Sequence, residues 1–197
     1  TNPGTLYRRD SDFVSKTDPT QGTVEYRGGF TGDIQAYPGI DYNNLVIHDG
    51  NLKLEADTQV AGTVTIGSTN IPQLSLNGYE ISVGGSWNKL SNGFFVANGG
   101  RLALTGSATA AITGDHTGAG AFYDLVVEVP GKTVQFGSGE TQEVTNLLRL
   151  RGSSTNLLVL EGTAGGWSID PTGTRDVEFV DVTDSTNLDP TNITALR

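Results

Sequence analysis

The chain has 197 residues, no cysteine, and 22 acidic against 12 basic residues, which give a formal net charge of −10. The missing cysteines exclude disulfides and thiolate metal sites, and the negative charge argues against nucleic acid or anionic lipid as a partner. No apolar run approaches the ~20 residues that span a bilayer, so we expect no membrane insertion. Because of the negative net charge, we also expect no nucleic-acid partner. The 27 glycines and the many Thr, Ser and Asn residues favour strands and tight turns over helices.

Residues 1–21 are polar and irregular, and we interpret them as an N-terminal arm or cap. From residue 22 to residue 197, short segments with an apolar residue at every second position follow one another, separated by Gly, Asn or Asp. Period-two spacing is typical of strands with one buried face. The spacing therefore predicts an all-β domain with one continuous core, formed by Leu45, Ile47, Val64, Ile66, Leu74, Leu76, Ile81, Val83, Leu125, Val127, Leu148 and Leu150.

Three segments recur in the same order at a nearly constant offset. GTVEYRGG from Gly22 matches GRLALTGS from Gly100, an offset of 78 residues, and YNNLVI from Tyr42 matches FYDLVV from Phe122, an offset of 80. The third match, VAGTVTI from residue 60 with VTNLLRL from residue 144, has an offset of 84. We interpret these matches as two imperfect internal repeats, approximately 22–99 and 100–185, as in proteins built from stacked coils.

The segments YNNLVI, FYDLVV, Gly62–Val96 and Gly165–Ser185 resemble the right-handed parallel β-helix, or β-solenoid, modules of large bacterial cell-surface and secreted repeat proteins. The resemblance implies a stack of coils with an inward apolar ladder. The alternative fold is an antiparallel β-sandwich or jelly roll, because Asn-Gly and Asp-Gly dipeptides, such as Asn77-Gly78 and Asn98-Gly99, are also hairpin signals.

The sequence Gly131-Lys132-Thr133 looks like the end of a phosphate-binding loop. Such a loop needs a glycine five positions before its Gly-Lys pair and a helix after it, whereas this chain has Val126 at that position and the strand-like VQF after Thr133. We therefore predict a type I or II turn at Pro130-Gly131, no nucleotide site, and a solvent-exposed Lys132.

Metal-ligating residues are few. The two histidines, His48 and His116, lack a second imidazole or carboxylate set nearby in sequence, and we expect both in solvated loops. Aspartates crowd the C-terminal fifth of the chain, and Asp181, Asp184 and Asp189 are the candidates for a calcium site because Ca²⁺ binds several carboxylate oxygens. The known calcium-loop motifs are missing, so the main expectation is no cofactor, with Ca²⁺ as the alternative.

Trp87 and Trp167 each follow a Gly-Gly pair. If they are exposed, they could stack on sugar rings, and if they are buried, they fill corners of the core. A carbohydrate-binding module that uses Trp87 and Trp167 is therefore the alternative function. A glycan-cleaving β-helix enzyme is the third candidate, although no catalytic carboxylate pair can be assigned from the sequence.

Our main functional expectation is a non-catalytic structural module of an extracellular bacterial assembly, either an adhesin stalk or a self-stacking filament subunit. The resemblance to surface and secreted proteins implies an extracellular or cell-surface location. A β-solenoid ends in unpaired strands, and Ile193 and Leu196 continue the apolar pattern near residue 197. We expect Ile193 and Leu196 to contact a neighbouring copy in a homo-oligomer or filament, or a further coil of a longer chain.

Overall fold

The computed structural model describes residues 5–8, 20–27, 33–35, 41–68 and 70–196, and these residues form short strands with one 3₁₀ turn, Gly118–Gly120. In chain order the strands are β1 (Thr5–Arg8), β2 (Thr23–Tyr26), β3 (Asp33–Gln35), β4 (Asn44–Ile47), β5 (Asn51–Lys53), β6 (Thr58–Val60), β7 (Val64–Ile66), β8 (Gln73–Ser75), β9 (Glu80–Val83), β10 (Trp87–Lys89), β11 (Phe94–Val96), β12 (Arg101–Leu104), β13 (Ala110–Thr113), β14 (Phe122–Val127), β15 (Thr133–Phe136), β16 (Thr141–Arg151), β17 (Leu158–Gly162), β18 (Trp167–Pro171), β19 (Thr174–Glu178), β20 (Val180–Val182) and β21 (Ser185–Asn187).

The strands form three sheets. Sheet A has nine strands in the order β1-β2-β4-β7-β10-β13-β15-β17-β20, sheet B has the order β11-β8-β5-β3, and sheet C has the order β21-β18-β16-β14-β12-β9-β6, with β19 also paired to β16. From β4 to β12 the chain visits sheets A, B and C in turn, and from β13 to β18 it alternates between A and C. Strands β18 and β19 both pair with the long strand β16 of sheet C. The coils are therefore three-sided first and two-sided later.

Every pairing between the described strands is parallel. Partners in sheet A are separated by 18 residues where Thr5 pairs with Thr23 and by 26 where Val134 pairs with Leu160. A parallel sheet built from such regular crossovers is a solenoid, so the predicted parallel β-solenoid is confirmed and the antiparallel sandwich is wrong.

The coil, rather than the longer internal repeat, is the unit that stacks. The segment from Gly22 contributes β2 to sheet A, whereas its sequence match from Gly100 contributes β12 to sheet C. The matched segments therefore share a strand-turn pattern without occupying equivalent sides of the solenoid. Strand β1 lies within the stretch that the sequence assigns to an arm or cap, and it forms the edge of sheet A by pairing with β2.

The core runs along the solenoid axis between the sheets. All twelve residues that the alternation predicts to be buried are buried, and they belong to one apolar cluster. Inter-strand pairing places like residues in ladders, for example Leu52 next to Leu74 and Leu102 between Ile81 and Leu125. The prediction of one continuous core is confirmed, because a single inward face at period two buries each apolar residue on the one in the next coil.

Asparagine-glycine pairs turn the chain at corners rather than in hairpins. Asn77 and Gly78 have φ of 52° and 87°, and Asn98 and Gly99, one coil later, have φ of 44° and 79°. Asn and Gly are the residues that adopt positive φ at least cost. The Asn98 amide donates to Asn77 Oδ1 (3.3 Å) and the Asn77 amide donates to the Leu54 carbonyl (3.3 Å), so the corner side chains also tie successive coils together.

Candidate functional site

The phosphate-loop-like sequence forms a turn, as predicted. The Lys132 amide donates to the Val129 carbonyl at 3.1 Å, and Gly131 has a φ of 78°. This hydrogen bond and the positive φ at the third position are the features of a type II turn, with Pro130 at the second position. The element that follows is strand β15 rather than the helix that a phosphate loop requires.

The prediction that Lys132 points to solvent is wrong. Its side chain is fully buried, and its Nζ donates to the carbonyls of Gly106 (2.5 Å) and Ala108 (2.8 Å) in the preceding coil. Lys132 directly precedes β15 and has the same parity as the buried Val134 and Phe136, so its side chain enters the interior. Burial lowers the pKa of the Lys132 amine from its ordinary value, because the charged form loses hydration.

The expectation that His116 lies in a solvated loop is also wrong. The ring is fully buried and stacks on Phe122, with ring centroids 4.3 Å apart and planes inclined by 18°. Trp87 Nε1, which can only donate, lies 2.9 Å from His116 Nε2. The proton of the neutral ring is therefore on Nδ1, which donates to the Gly114 carbonyl (2.8 Å) and to Gln142 Oε1 (2.9 Å).

This buried network crosses three coils, because Trp87, His116 and Gln142 belong to successive turns. Burial lowers the pKa of His116 from 6.5 to about 3, and the positive charge of Lys89 acts in the same direction. The ring is thus neutral at physiological pH, and both of its nitrogens already have partners. His116 serves as a packing and hydrogen-bonding residue of the interior.

The burial of both candidate tryptophans argues against the hypothesis that they bind sugars. Trp87 is 0% exposed and Trp167 is 2% exposed, so neither offers a ring face to a sugar. Trp87 packs edge-on against Phe95 with ring centroids 5.2 Å apart, and Trp167 stacks on Phe136 at 3.8 Å. Both fill the core, which is the other role that the sequence allowed for them. The Trp87 and Trp167 basis for a carbohydrate-binding module is therefore lost.

The candidate calcium ligands are not brought together. Asp181 and Asp184 are exposed, whereas Asp189 pairs with Arg175 at 2.6 Å and accepts from the Thr191 amide at 2.7 Å. These two donors hold the pKa of Asp189 below its ordinary value. In the described part of the chain no three His, Asp or Glu side chains converge as metal ligands. The described geometry therefore gives Asp181, Asp184 and Asp189 no shared calcium site.

A group of charged side chains pairs between neighbouring strands of sheet C. Arg101 lies between Glu80 (3.3 Å) and Asp124 (3.4 Å), which occupy the register positions on either side of it. Two coils later, Asp176 accepts from both Arg149 (2.9 Å) and Arg151 (2.8 Å). The arginines lower the pKa of Asp176, the hydrogen bond from Arg151 having the largest effect. These pairs form ladders along the solenoid rather than a cleft.

The last described residues fold back on the final coil, and we call residues 188–196 the C-terminal strap. Arg175 holds the strap by donating to the Thr191 carbonyl at 2.7 Å and by its ion pair with Asp189. Ile193 packs against the core, whereas Leu196 pairs with β19 through its backbone and leaves its side chain 61% exposed. Self-association through Ile193 and Leu196 remains a prediction.

Comparisons of the chain with protein-family models, with curated proteins and with solved structures find no match. Among the described residues, no helix has the length and apolar character needed to cross a membrane. The candidate functional features are therefore those of the molecule itself: a buried polar network in the middle coils, charge ladders on sheet C, and an end that the C-terminal strap partly covers.

Proposed function

We propose that this chain is a non-catalytic structural module, a stiff rod in an extracellular bacterial assembly that acts as an adhesin stalk or a self-stacking filament subunit. The observation that carries this proposal is how the polar side chains are used. Lys132, His116 and Asp176, whose side chains could act on a ligand if they were free, each bond to a neighbouring coil. Groups committed to their neighbours in this way hold coils together and are not free to act on a substrate.

Asparagine side chains support the same role. The amides of Asn92 and Asn146 reach the Ser68 carbonyl (2.5 Å) and Asp124 Oδ1 (2.7 Å), which lie 24 and 22 residues earlier in the chain. Together with the parallel backbone ladders, these bonds resist both the separation and the sliding of adjacent coils. Sheet A has nine strands, and a spacing of ~4.8 Å between strands gives a rod about 38 Å long.

The filament form is favoured by the two ends of sheet A. Strand β1 is the edge at one end and β20 is the edge at the other, and the sheet is parallel throughout. Strand β1 of one copy can therefore pair with β20 of the next without reversing direction, and such a head-to-tail contact repeats indefinitely. Val182 on β20 and Leu188 and Leu196 on the strap are exposed apolar side chains at this end.

Sedimentation and negative-stain imaging of the 197-residue chain at micromolar concentration test the filament form. We expect fibres in wild type and monomers in Val182→Lys, because a charge on an edge strand opposes edge-to-edge pairing. The matched control is Val159→Lys, on the interior strand β17 of the same sheet, which should still form fibres. Monomeric wild type would contradict self-stacking.

A single-molecule pulling experiment tests the stalk form. A stalk should resist extension and then unfold in discrete steps, because several inter-coil bonds break together when a coil detaches. Gradual extension at low force would contradict the mechanical role in either form.

A further inference from the structure

The outward surface of sheet B differs from the outward surfaces of the other two sheets. Leu52, Leu74 and Phe95 are buried in the core, so the residues on either side of each of them face outward. The outward residues pair in register across β5, β8 and β11 as two rows, Asn51-Gln73-Phe94 and Lys53-Ser75-Val96. We call these six residues the sheet B face.

The amides of the sheet B face have no partners within the described chain. Asn51 and Gln73 are adjacent in register, yet neither side chain makes a hydrogen bond to another described residue, and Lys53 makes no ion pair with one. On sheet A, by contrast, Gln135 donates to Glu161 at 2.9 Å across neighbouring strands, and the charge ladders of sheet C pair in the same way. Asn51 is exposed and Gln73 is half-buried. Both amides are therefore free to bond to a molecule outside the chain.

An exposed aromatic ring ends this row of amides. Phe94 is 55% exposed, whereas the neighbouring Phe95 is buried. The Phe94 amide donates to the Pro72 carbonyl at 2.8 Å, so the backbone of Ile71, which is 70% exposed, lies beside it. Exposed apolar side chains that are grouped next to polar ones mark interaction sites more often than isolated ones do. The face thus combines one ring for stacking with two free amides.

We propose that the sheet B face binds a neutral, extended polysaccharide that runs along the solenoid axis. A sugar ring presents C–H groups to the Phe94 ring, and its hydroxyls both donate to and accept from the amides of Gln73 and Asn51. Strands are ~4.8 Å apart, so the row is about 10 Å long, which suits consecutive units of an extended chain. The net charge of −10 repels polyanions, and Lys53 is the one charged residue of the face, so a neutral chain is favoured over an acidic one.

The size of the face favours a sugar chain over a protein. The face has six residues, whereas a stable protein interface uses roughly 20–30 residues on each side. A polysaccharide needs only a narrow strip of contacts along its length. The proposal goes beyond the structural role and does not depend on it, because filament contacts would use the β1 and β20 edges of sheet A.

Calorimetric titration of the full chain with cellohexaose and chitohexaose, two neutral and extended oligosaccharides, tests the proposal. We expect saturable binding of at least one of them. Phe94→Ala should weaken that binding about ten-fold, because it removes the stacking surface. Gln73→Leu and Asn51→Leu keep a similar bulk and remove one amide each, so each should weaken binding about five-fold.

The matched control is Tyr123→Ala, which removes an exposed aromatic ring from sheet C and should leave binding unchanged. Thermal melting confirms that each variant is folded, and the three face variants alter outward positions, so the core stays intact. Maltohexaose, whose α-linked chain is helical, tests the requirement for an extended ligand. Hexagalacturonate, which is acidic, tests the requirement for a neutral one.

Each outcome decides for or against the proposal. Binding that is weakened by Phe94→Ala and by an amide substitution, but not by Tyr123→Ala, supports it. Four results overturn it: no saturable binding of either extended probe, undiminished binding in Phe94→Ala, equal binding of maltohexaose, or tighter binding of hexagalacturonate. Sedimentation at the same protein concentrations covers the remaining occupant, since binding that is lost as copies associate through this face would assign the face to a second copy.

Discussion

The middle coils and the C-terminal end of the solenoid contain similar side chains, but those side chains differ in how tightly they are packed and in whether they have hydrogen-bond partners. In the middle, the Trp87 indole donates to His116, and His116 donates in turn to Gln142 one coil further on. At the end, Trp167 borders a cavity of about 670 Å³ and Asn187 Oδ1 has no partner. A middle coil has two described neighbours and the last described coil has one. In this fold, the packing of a coil's interior therefore depends on the adjacent coil.

The largest expected effect comes from truncating each tryptophan. Trp87→Ala removes a fully buried ring and leaves His116 Nε2 without its donor, so we expect a loss of about 5 kcal/mol in the free energy of unfolding, the upper end of the range for such substitutions. Trp167→Ala should cost nearer 3 kcal/mol, because the strap can collapse into the space. Urea unfolding followed by circular dichroism measures both.

A reversed order, with Trp167→Ala more damaging, would contradict the comparison, since it would mean that the end coil is packed as tightly as the middle. Leu90→Ala, at an exposed position, is the control and should change stability by no more than about 0.5 kcal/mol.

The next largest effect tests the buried amine. Lys132→Ala removes the stem from the interior and leaves the Gly106 and Ala108 carbonyls without a donor, and we expect it to cost about 2–3 kcal/mol. Lys132→Met restores the packing but not the donor, so any remaining loss measures the two hydrogen bonds. Lys89→Ala is the control at a half-buried lysine with no comparable contacts to two carbonyls, and it should be nearly neutral. An unchanged free energy of unfolding in Lys132→Ala would contradict the role of this side chain in the interior.

How far the sequence predicts this molecule depends on whether the cause is local. Alternation along a strand is local, and it correctly identifies the inward residues from Leu45 to Leu150. The same parity, continued, places Lys132 with Val134 and Gln142 with Val144, all buried. The prediction that Lys132 lies in solvent is wrong because it gives the charge of the residue more weight than its position in the alternating pattern.

The partners themselves are not readable from a single strand. The acceptors of Lys132 lie 26 and 24 residues away, and the Trp87 to His116 bond spans 29 residues, so coil lengths must be known before partners can be matched. The offset of about 80 residues between sequence repeats does not provide those lengths, because it aligns sheet A with sheet C. The sequence therefore predicts which segments form strands, but it does not predict the side-chain network of the candidate site.

A smaller effect is the pH dependence from His116. Its pKa is about 3 in the folded protein and 6.5 in the unfolded chain, so below pH 6.5 the unfolded state takes up a proton that the folded state does not. The contribution of the neutral His116 to stability is therefore fully present above pH 6.5 and declines as the pH falls toward 3. Between pH 7.5 and pH 5 the loss from this one group is about 2 kcal/mol.

Urea titrations at pH 7.5 and pH 5 measure this difference. His116→Gln should be less stable at pH 7.5 but should lose about 2 kcal/mol less than wild type on acidification. His48→Gln, at the other histidine, should retain the wild-type acid loss from His116. Equal pH dependence in wild type and His116→Gln would show that the ring is accessible to protons in the folded state.

The smallest effect on global stability, and the sharpest probe of the end coil, comes from the ion pair that holds the strap. Asp189→Asn keeps the shape of the side chain and removes its charge, so Arg175 loses its partner but keeps the Pro171 and Thr191 carbonyls. The strap should open more often while the middle coils stay closed. Hydrogen exchange should therefore speed up at the amides of Leu196 and Phe179, which donate to the carbonyls of Val177 and Leu196 respectively, and should be unchanged at the amides of β16.

The ion pair also predicts how strap opening depends on pH. Arg175 lowers the folded pKa of Asp189, so the stabilisation of the strap by this ion pair is present above the ordinary carboxyl pKa of about 3.9 and is lost as the pH falls through the lower folded value. Strap opening in wild type, corrected for intrinsic exchange rates, should thus be constant from pH 7 to pH 5, the same interval in which His116 destabilises the middle. Asp181→Asn, at an exposed aspartate on β20, is the matched control. Faster exchange in β16 of Asp189→Asn would mean that the end and the middle open as one unit, and the distinction between them would fail.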